Sequence, residues 1–346
     1  MRDNFEQAIK KFNYSFPQEL IAQSPANPRD SAKLLVYKKN LNKIQIDTFK
    51  NLTSYLPPKS VLVFNKTRVI PARLVVKKST GGTVEILYIK HDLENIYVLS
   101  NRSLRPKNKL LLNNEMYFDV IEKLEKEYVL KPNFKTTKII AVLERYGKTP
   151  LPPYIKHSTL SEKEIKSEYQ TIFAQKKGSV AAPTASLHFT NSLLKKIKNA
   201  GHTVCFITLH VNLGTFAPLT TKQFDDKKLH EEWFEIDKKT KLILNNAKQN
   251  NRKIISVGTT VTRTLESSVN KDGKISKLYG TTNLFIDEDY KLKFVDAIIT
   301  NFHVPKSSLL MLVASFTGRK KIFELYNIGI DNRMRLFSFG DGMLII

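Results

Sequence analysis

Apolar and polar positions follow two different rhythms along the 346 residues. From about residue 178 onward, short apolar runs alternate with stretches of helical period. TNSLLKKIKNAG (190–201) opens on a Thr/Asn cap, sets Leu193, Leu194 and Ile197 on one face, and stops at Gly201. VCFITLHV (204–211) follows as an apolar strand. KKTKLILNNAKQN (238–250) reads as a helix, KIISVG (253–258) as a buried strand, and TTVTRTLESS (259–268) as the next helix. SSLLMLVASFTG (307–318) opens on serine caps and ends at a glycine. This order predicts an α/β fold with partly parallel strands.

The stretch from about 70 to 146 has another texture. RLVVK, TVEILYIK, NIYVLS, KLLL, MYFDVI, EYVL and TKIIAVLE are short runs rich in Val, Ile, Leu and Tyr, several separated by polar turns such as Gly81–Gly82 and Asn113–Asn114. Such spacing predicts a small antiparallel barrel or sandwich. VLVF (61–64) precedes it and α/β texture follows, so it reads as an insertion, with PLPPYI (150–155) marking the return. The expected organisation is a discontinuous α/β core, 1–69 and 147–346, and an inserted β-barrel domain, 70–146.

Composition narrows the possibilities. Apolar content of 41% with 25% charged residues excludes a disordered chain, and a single cysteine, Cys205, excludes a disulfide framework. The most apolar stretch, LLMLVASF (309–316), is too short to span a bilayer, and no secretory leader is evident at the N-terminus, so a cytoplasmic location is expected. The formal charge is +24, which suits a polyanionic partner such as nucleic acid. Against that, 44 of the 56 basic residues are lysines scattered in pairs, the weaker choice for bidentate phosphate recognition. Dinucleotide, Walker A, zincin and α/β-hydrolase signatures are absent, and the histidines show no metal-ligand spacing.

The candidate chemistry lies in polar segments within apolar surroundings. VLVFNKTRVIPARL (61–74) presents Asn65, Thr67 and Arg68 in a loop, as ligand groups or as a capped turn. GSVAAPTASLHFT (178–190) is a small-residue loop with Thr184 and His188, open to a ligand or packed on the sheet. FITLHVNLGTFAPL (206–219) puts His210 at a strand end, before a turn through Asn212, Gly214 and Thr215; a histidine there suits acid–base work or satisfies backbone groups. LHEEWFEI (229–236) sets Glu232 beside Trp233, either a cation site or a solvated turn. At Gly258, Thr259 and Thr260 a helix start offers open N–H groups to an anion, with Arg263 one turn on; threonine capping is the plain alternative. Asn301 and His303 fall in a strand-to-helix loop, and Asp341 stands between two glycines. Together these place polar residues at several strand ends, where α/β sheets bind ligands.

These segments, in order from FNYSFPQELIAQSPANPRDSAKLLV (12–36) through VFNKTRVIPARL, PLPPYI, EYQTIFA, AAPTASLHFT, ITLHVNLGTF, VGTTVTRTLES and TNFHVPKSSLLMLV to FSFGDGML, resemble the S-adenosylmethionine:tRNA ribosyltransferase-isomerase family of queuosine biosynthesis. The resemblance covers nearly the whole chain, the β-rich 70–146 matching least. It implies transfer of the ribosyl moiety of S-adenosylmethionine to 7-aminomethyl-7-deazaguanine at the tRNA wobble position. The ribose rearranges to an epoxycyclopentane, giving epoxyqueuosine and releasing adenine and methionine. It further implies no cofactor or metal, S-adenosylmethionine being consumed as substrate; an anticodon loop as partner; and a barrel-like α/β core with an inserted antiparallel β-barrel.

Within that chemistry His210 and His188 are the expected acid–base groups, and Glu232 and Asp341 the groups that steady positive charge. Gly258–Thr260 with Arg263 would take the methionine carboxylate or a phosphate, and Asn65, Thr67, Arg68, Asn301 and His303 would complete the pocket. The chain departs from the family pattern at Lys66 (usually Asp), Asn212 and Ser186 (usually Gly), Glu231 (usually Ser), Lys33 (usually Arg) and Glu288–Asp289 (usually Pro-Gly). Asn212 tolerates positive φ and is expected to preserve its turn. The rival readings are a tRNA-binding homologue with impaired catalysis and an ordinary S-adenosylmethionine methyltransferase, the latter disfavoured by the missing glycine-rich loop.

Overall fold

The first apolar runs of the chain are β1 (Lys33–Lys38), β2 (Lys43–Thr48) and β3 (Val61–Asn65), seen in a computed structural model that describes residues 2–125, 127–212 and 219–346. A short β4 (Thr67–Val69) precedes β5 (Arg73–Lys78), β6 (Thr83–His91), β7 (Ile96–Ser100), β8 (Lys109–Leu111), β9 (Tyr117–Lys123) and β10 (Tyr128–Pro132). β11 (Lys176–Ser179) pairs with β4. Then come β12 (Thr203–Leu209), β13 (Lys228–Glu235), β14 (Ile254–Val257), β15 (Tyr279–Leu284), β16 (Ala297–Asn301) and β17 (Gly342–Ile345). The helices are α1 (Arg2–Lys10), α2 (Ile139–Tyr146), α3 (Glu162–Glu168), α4 (Asn191–Asn199), α5 (Thr221–Asp225), α6 (Lys238–Gln249), α7 (Thr259–Ser268), α8 (Ser308–Ala314) and α9 (Arg319–Asp331).

Nine strands form one mixed sheet in the order β15-β13-β12-β3-β14-β16-β17-β1-β2, and β5 to β10 close into an antiparallel barrel. The α/β core with an antiparallel barrel inserted in it is therefore present, and the closed barrel belongs to the insertion. The central strands are buried on both faces, which is why they read as unbroken apolar runs. Val61 and Val63 of β3 join one layer with Leu244 of α6, Val261 and Leu265 of α7 and Leu310 of α8. Leu62 and Phe64 face the other, with Leu193 and Ile197 of α4. The caps fall where the polar residues predict: the side chains of Thr190, Asp237 and Ser307 accept from Leu193, Thr240 and Leu310 N–H at the starts of α4, α6 and α8.

Three local expectations change. TKIIAVLE is not a strand: Ile139, Val142 and Leu143 recur at i, i+3 and i+4 and form the buried face of α2. LHEEWFEI is not a turn but most of β13, whose Trp233 and Glu235 pair with Thr281 and Tyr279 of β15. Thr67 and Arg68 lie in β4 rather than in a loop, and Asn65 is the last residue of β3.

On α7, the buried Glu266 carboxylate accepts from the N–H groups of Lys293, Phe294 and Val295 and from the Tyr290 hydroxyl, at 2.8 to 3.3 Å. It thereby holds the segment leading into β16. Glu266→Gln leaves fewer acceptors and turns an amide toward those donors. The expected loss is about 2–3 kcal/mol in urea unfolding, since hydrogen bonds to a charged acceptor are the strong ones; an unchanged midpoint would remove Glu266 as a clamp.

Candidate active site

β3 runs parallel to β12 and β14, and β14 parallel to β16, so the C-terminal ends of these four strands share one edge of the sheet. Asn65, His210, Gly258 and Asn301 all lie at that edge, where an open α/β sheet presents a ligand crevice. A cleft of about 630 Å³ of atom-free space, counted out to its open mouth, occupies it. Its polar wall groups include Tyr154, Thr184, Thr259, Thr260, Thr300, Asn301, His303 and Ser338, interleaved with small and apolar residues. Among the described residues the wall contains no Lys, Arg, Asp or Glu.

The helix start behaves as its sequence predicts. Gly258 has φ +96° and ψ 154°, a region essentially reserved for glycine, and no side chain caps α7. The first N–H groups of the helix are left open beside the cleft, at the positive end of its dipole. Across from them Thr184 Oγ1 donates to Asn301 Oδ1 at 2.9 Å, while Asn301 Nδ2 donates to the Phe337 carbonyl at 3.2 Å and meets His188 Nε2 at 3.3 Å. Tyr154 Oη and Ser338 Oγ share a 2.7 Å hydrogen bond at the same wall.

The histidines are electrically quiet. Burial drives His303 down to about 3, and its Nε2 lies 2.9 Å from Thr300 Oγ1. His188 also falls to about 3, through burial and then the nearby Arg335 and Arg29; it stacks on Phe49 with ring centroids 4.1 Å apart. His210 falls to about 4, through burial and then Lys176, with Glu235 opposing. All three are neutral at physiological pH.

Several expected ligand groups are spent elsewhere. Among the described residues, none of His210, His188, Glu232 and Asp341 is a wall residue of the cleft. His210 Nδ1 lies 2.8 Å from Thr67 Oγ1, its ring stacks on Trp233, and Gly178 fits under it; a Cβ on Gly178 would come within 2.8 Å of Nε2. Its neighbour Val211 lines the cleft instead. His188 is core, orienting Asn301. Glu232 and Arg263 form a buried ion pair; Arg263 Nε also donates to the Leu284 carbonyl, and Glu232 accepts from the Asn212 N–H at 3.0 Å. Arg263 is therefore a strut, not the free anion hook its position one turn into α7 predicts. Asp341 accepts from the Lys33 and Arg335 N–H groups at 2.9 and 2.8 Å and pairs with the Arg335 guanidinium.

Asn65 is fully engaged as a backbone clamp, and Arg68 is exposed on β4. The cleft thus gathers Thr184, Gly258, Thr259, Thr260, Asn301 and His303, while Thr215 lies outside the described residues. Sequence reading missed Tyr154 and Ser338. The proline run around Tyr154 was the available signal, since it fixes backbone next to the cleft.

The departures are accommodated. Lys66 Nζ sits 3.6 Å from Asp237, the residue that caps α6, so the reversed charge has a partner. Asn212 is not among the positive-φ residues, contrary to expectation; its Nδ2 donates to the Glu231 carbonyl at 2.9 Å, linking two of the altered positions. Lys33 Nζ donates to the Asn332 carbonyl and Glu288 pairs with Arg319. Nothing in the structure explains Ser186, whose buried hydroxyl has no partner.

Residues 9–345 match the sequence profile of the family described as queuosine biosynthesis protein. The chain is 42% identical over 342 residues to S-adenosylmethionine:tRNA ribosyltransferase-isomerase of Sulfurihydrogenibium sp. (98% of this chain, 99% of the relative). It is 43% identical over 346 residues to the protein of that name from Carboxydothermus hydrogenoformans, with the same coverage. A crystal structure of S-adenosylmethionine tRNA ribosyltransferase from Thermotoga maritima matches with a TM-score of 0.55 at 29% identity, over 97% of this chain and all of that one.

Neutral buried histidines have a consequence for stability. The ordinary value of about 6.5 applies to the unfolded chain, and His188 and His303 lie at about 3 when folded. Their contribution is complete above pH 6.5 and is lost as pH falls toward 3, because only the unfolded chain takes up the protons. Each therefore removes about 2 kcal/mol between pH 7 and pH 5, at about 1.4 kcal/mol per pH unit. In urea titrations His188→Gln is expected to shrink the drop between those pH values by about that amount; an unaltered drop would contradict the assignment.

Proposed function

We propose a division of labour within the cleft for a chain that belongs to the queuosine biosynthesis family of S-adenosylmethionine:tRNA ribosyltransferase-isomerases. The reaction moves the ribosyl unit of S-adenosylmethionine onto 7-aminomethyl-7-deazaguanine in tRNA and isomerises it to the epoxycyclopentane, releasing adenine and methionine. The observation that carries the assignment is a largely apolar cleft whose polar wall groups carry no formal charge, opened by an uncapped helix start. A sulfonium cation entering such a wall meets no ammonium or imidazolium to repel it. The methionine carboxylate sits at the N–H groups of Thr259 and Thr260, where the dipole of α7 favours an anion. Thr184 and Asn301, already joined, offer their remaining hydrogen-bonding capacity to the ribose hydroxyls.

His303 is the histidine among the described wall residues. Thr300 fixes its ring, and burial keeps it neutral, so it acts as a hydrogen-bonding imidazole toward the departing adenine rather than as a charged acid. His210, outside the wall, positions Val211 and the start of the following segment. S-adenosylmethionine is the consumed substrate and no other cofactor enters the scheme. The anticodon loop delivers the deazaguanine amine to the mouth of the cleft. A homologue that binds tRNA without turnover is not supported: the relatives matched over nearly the whole chain carry the name of the ribosyltransferase-isomerase.

Two measurements test these roles. Decarboxylated S-adenosylmethionine is expected to bind about tenfold more weakly than S-adenosylmethionine by calorimetry, the equivalent of about 1.4 kcal/mol from the helix start; equal affinities would move the carboxylate elsewhere. With tRNA bearing the deazaguanine, His303→Asn is expected to lower the rate of adenine release by about 10²–10³ while S-adenosylmethionine affinity changes little. His210→Gln should cost much less. The reverse ranking would return the chemistry to His210.

A further inference from the structure

The segment that carries His210's partner also carries an unmatched basic stripe. β4 and β11 form a parallel two-stranded sheet separate from both the core sheet and the barrel. Lys176 lies opposite Thr67 and Lys177 opposite Arg68. The buried side of this ribbon serves the interior: Thr67 bonds His210, and Gly178 lies under the imidazole. The exposed side carries Arg68 and Lys177.

Charge matching separates these cations. Lys66 pairs with Asp237 and Lys176 with Glu235, so that end of the ribbon is neutral. Lys177 meets Glu144 at 2.5 Å, tying the ribbon to α2 at the end of the insertion. Directly after Glu144 come Arg145 and Lys148, both exposed. Gly147 packs so closely on the Pro71 carbonyl that a Cβ would overlap it, and Lys148 exchanges backbone hydrogen bonds with Arg73. The end of α2 is thus fastened three residues beyond Arg68. Among the described residues Arg68, Arg145 and Lys148 have no carboxylate partner. Four cations therefore meet one carboxylate at the seam between core and barrel.

We infer that this seam, Arg68 with Lys177, Arg145 and Lys148, is where the tRNA sugar–phosphate backbone docks beside the cleft. The inference rests on the family reading for its partner and adds the surface. Arg68 is the principal contact, because its guanidinium is free and its fork suits phosphate oxygens. The ribbon then couples docking to chemistry: one face holds the backbone, and the other holds His210 in place next to Val211 of the wall.

The test measures binding of tRNA bearing the deazaguanine to the full chain from 50 to 200 mM salt. Arg68→Ala and the double variant Arg145→Ala/Lys148→Ala are compared with Lys195→Ala/Lys196→Ala/Lys198→Ala. The last three lysines are exposed on α4, which leads into the opposite, N-terminal end of β12. Each seam contact removed should flatten the slope of log affinity against log salt by about 0.7–0.9 and raise KM for tRNA several-fold. The affinity for S-adenosylmethionine and kcat should stay within twofold. An unchanged slope for Arg68→Ala, or an equal loss in the α4 variant, would overturn the docking surface while leaving adenine release by the wild type intact. A wild type that neither retains tRNA nor releases adenine would overturn the family reading with it.

Discussion

Where β3 and β12 run out of paired backbone, a side chain takes over the ladder. The last paired residues are Asn65 and Ile207. Beyond them the Asn65 carboxamide donates to the Leu209 carbonyl at 3.0 Å and accepts from the Leu209 N–H at 3.1 Å, as a backbone amide would. The same oxygen accepts from the Thr67 N–H, and the same nitrogen reaches Thr260 Oγ1 at 3.4 Å. One buried side chain thus joins β3, β12, β4 and the start of α7. Thr67, held this way, fixes His210; Thr260 borders the cleft. Replacing Asn65 by an apolar residue of similar size would leave three buried backbone groups, the Leu209 N–H and C=O and the Thr67 N–H, without this partner, each at about 1–3 kcal/mol, before any ligand is considered.

The charges close to the cleft follow the same logic. Arg263 and Glu232 neutralise each other in the interior, and that carboxylate also holds the Asn212 N–H. Asp341 and Arg335 do likewise around the Lys33 and Arg335 backbone. The Arg263–Glu232 pair, buried on both sides, is of the kind that stabilises weakly but is costly to break, since removing one partner strands the other. The effect of both pairs on the site is geometric: they set loop positions while leaving the wall uncharged. A cationic sulfonium substrate makes that neutrality useful, because a permanent charge beside it would bias binding more than the transition state.

This explains which parts of the site were legible in the sequence. Periodicity and caps located α4, α6, α7 and α8, and unbroken apolar runs marked β3, β12, β14 and β16. Polar residues directly after those runs, Gly258 to Thr260 and Asn301 with His303, do reach the cleft, because strand direction alone determines their edge. Which face a charged side chain takes was not legible. Arg263 and Glu232 stand in polar-looking motifs, yet they find each other across 31 residues through β13 and α7. His210 is followed by a wall residue and is not one, a one-position difference decided by the alternation of an extended backbone. TKIIAVLE was misplaced for a related reason: five consecutive apolar residues fit either period until their packing is known.

The surplus charge is best understood by where it is left unmatched. Residues 70–146 hold 14 Lys/Arg against 9 Asp/Glu, or +5 of the +24, about a fifth of the charge on about a fifth of the chain. The barrel is therefore no more basic than the core, and total charge selects neither as the RNA-binding part. A uniform coat of lysine raises the local concentration of any polyanion but cannot set its register. Register needs cations held in place and lacking a carboxylate of their own. At the β4–β11 ribbon that condition separates Arg68 from Lys176 beside it in the sheet and from Lys66 just before β4. Evenly spread charge would thus bring tRNA to the molecule, and the few unmatched cations at the seam would decide how it sits there.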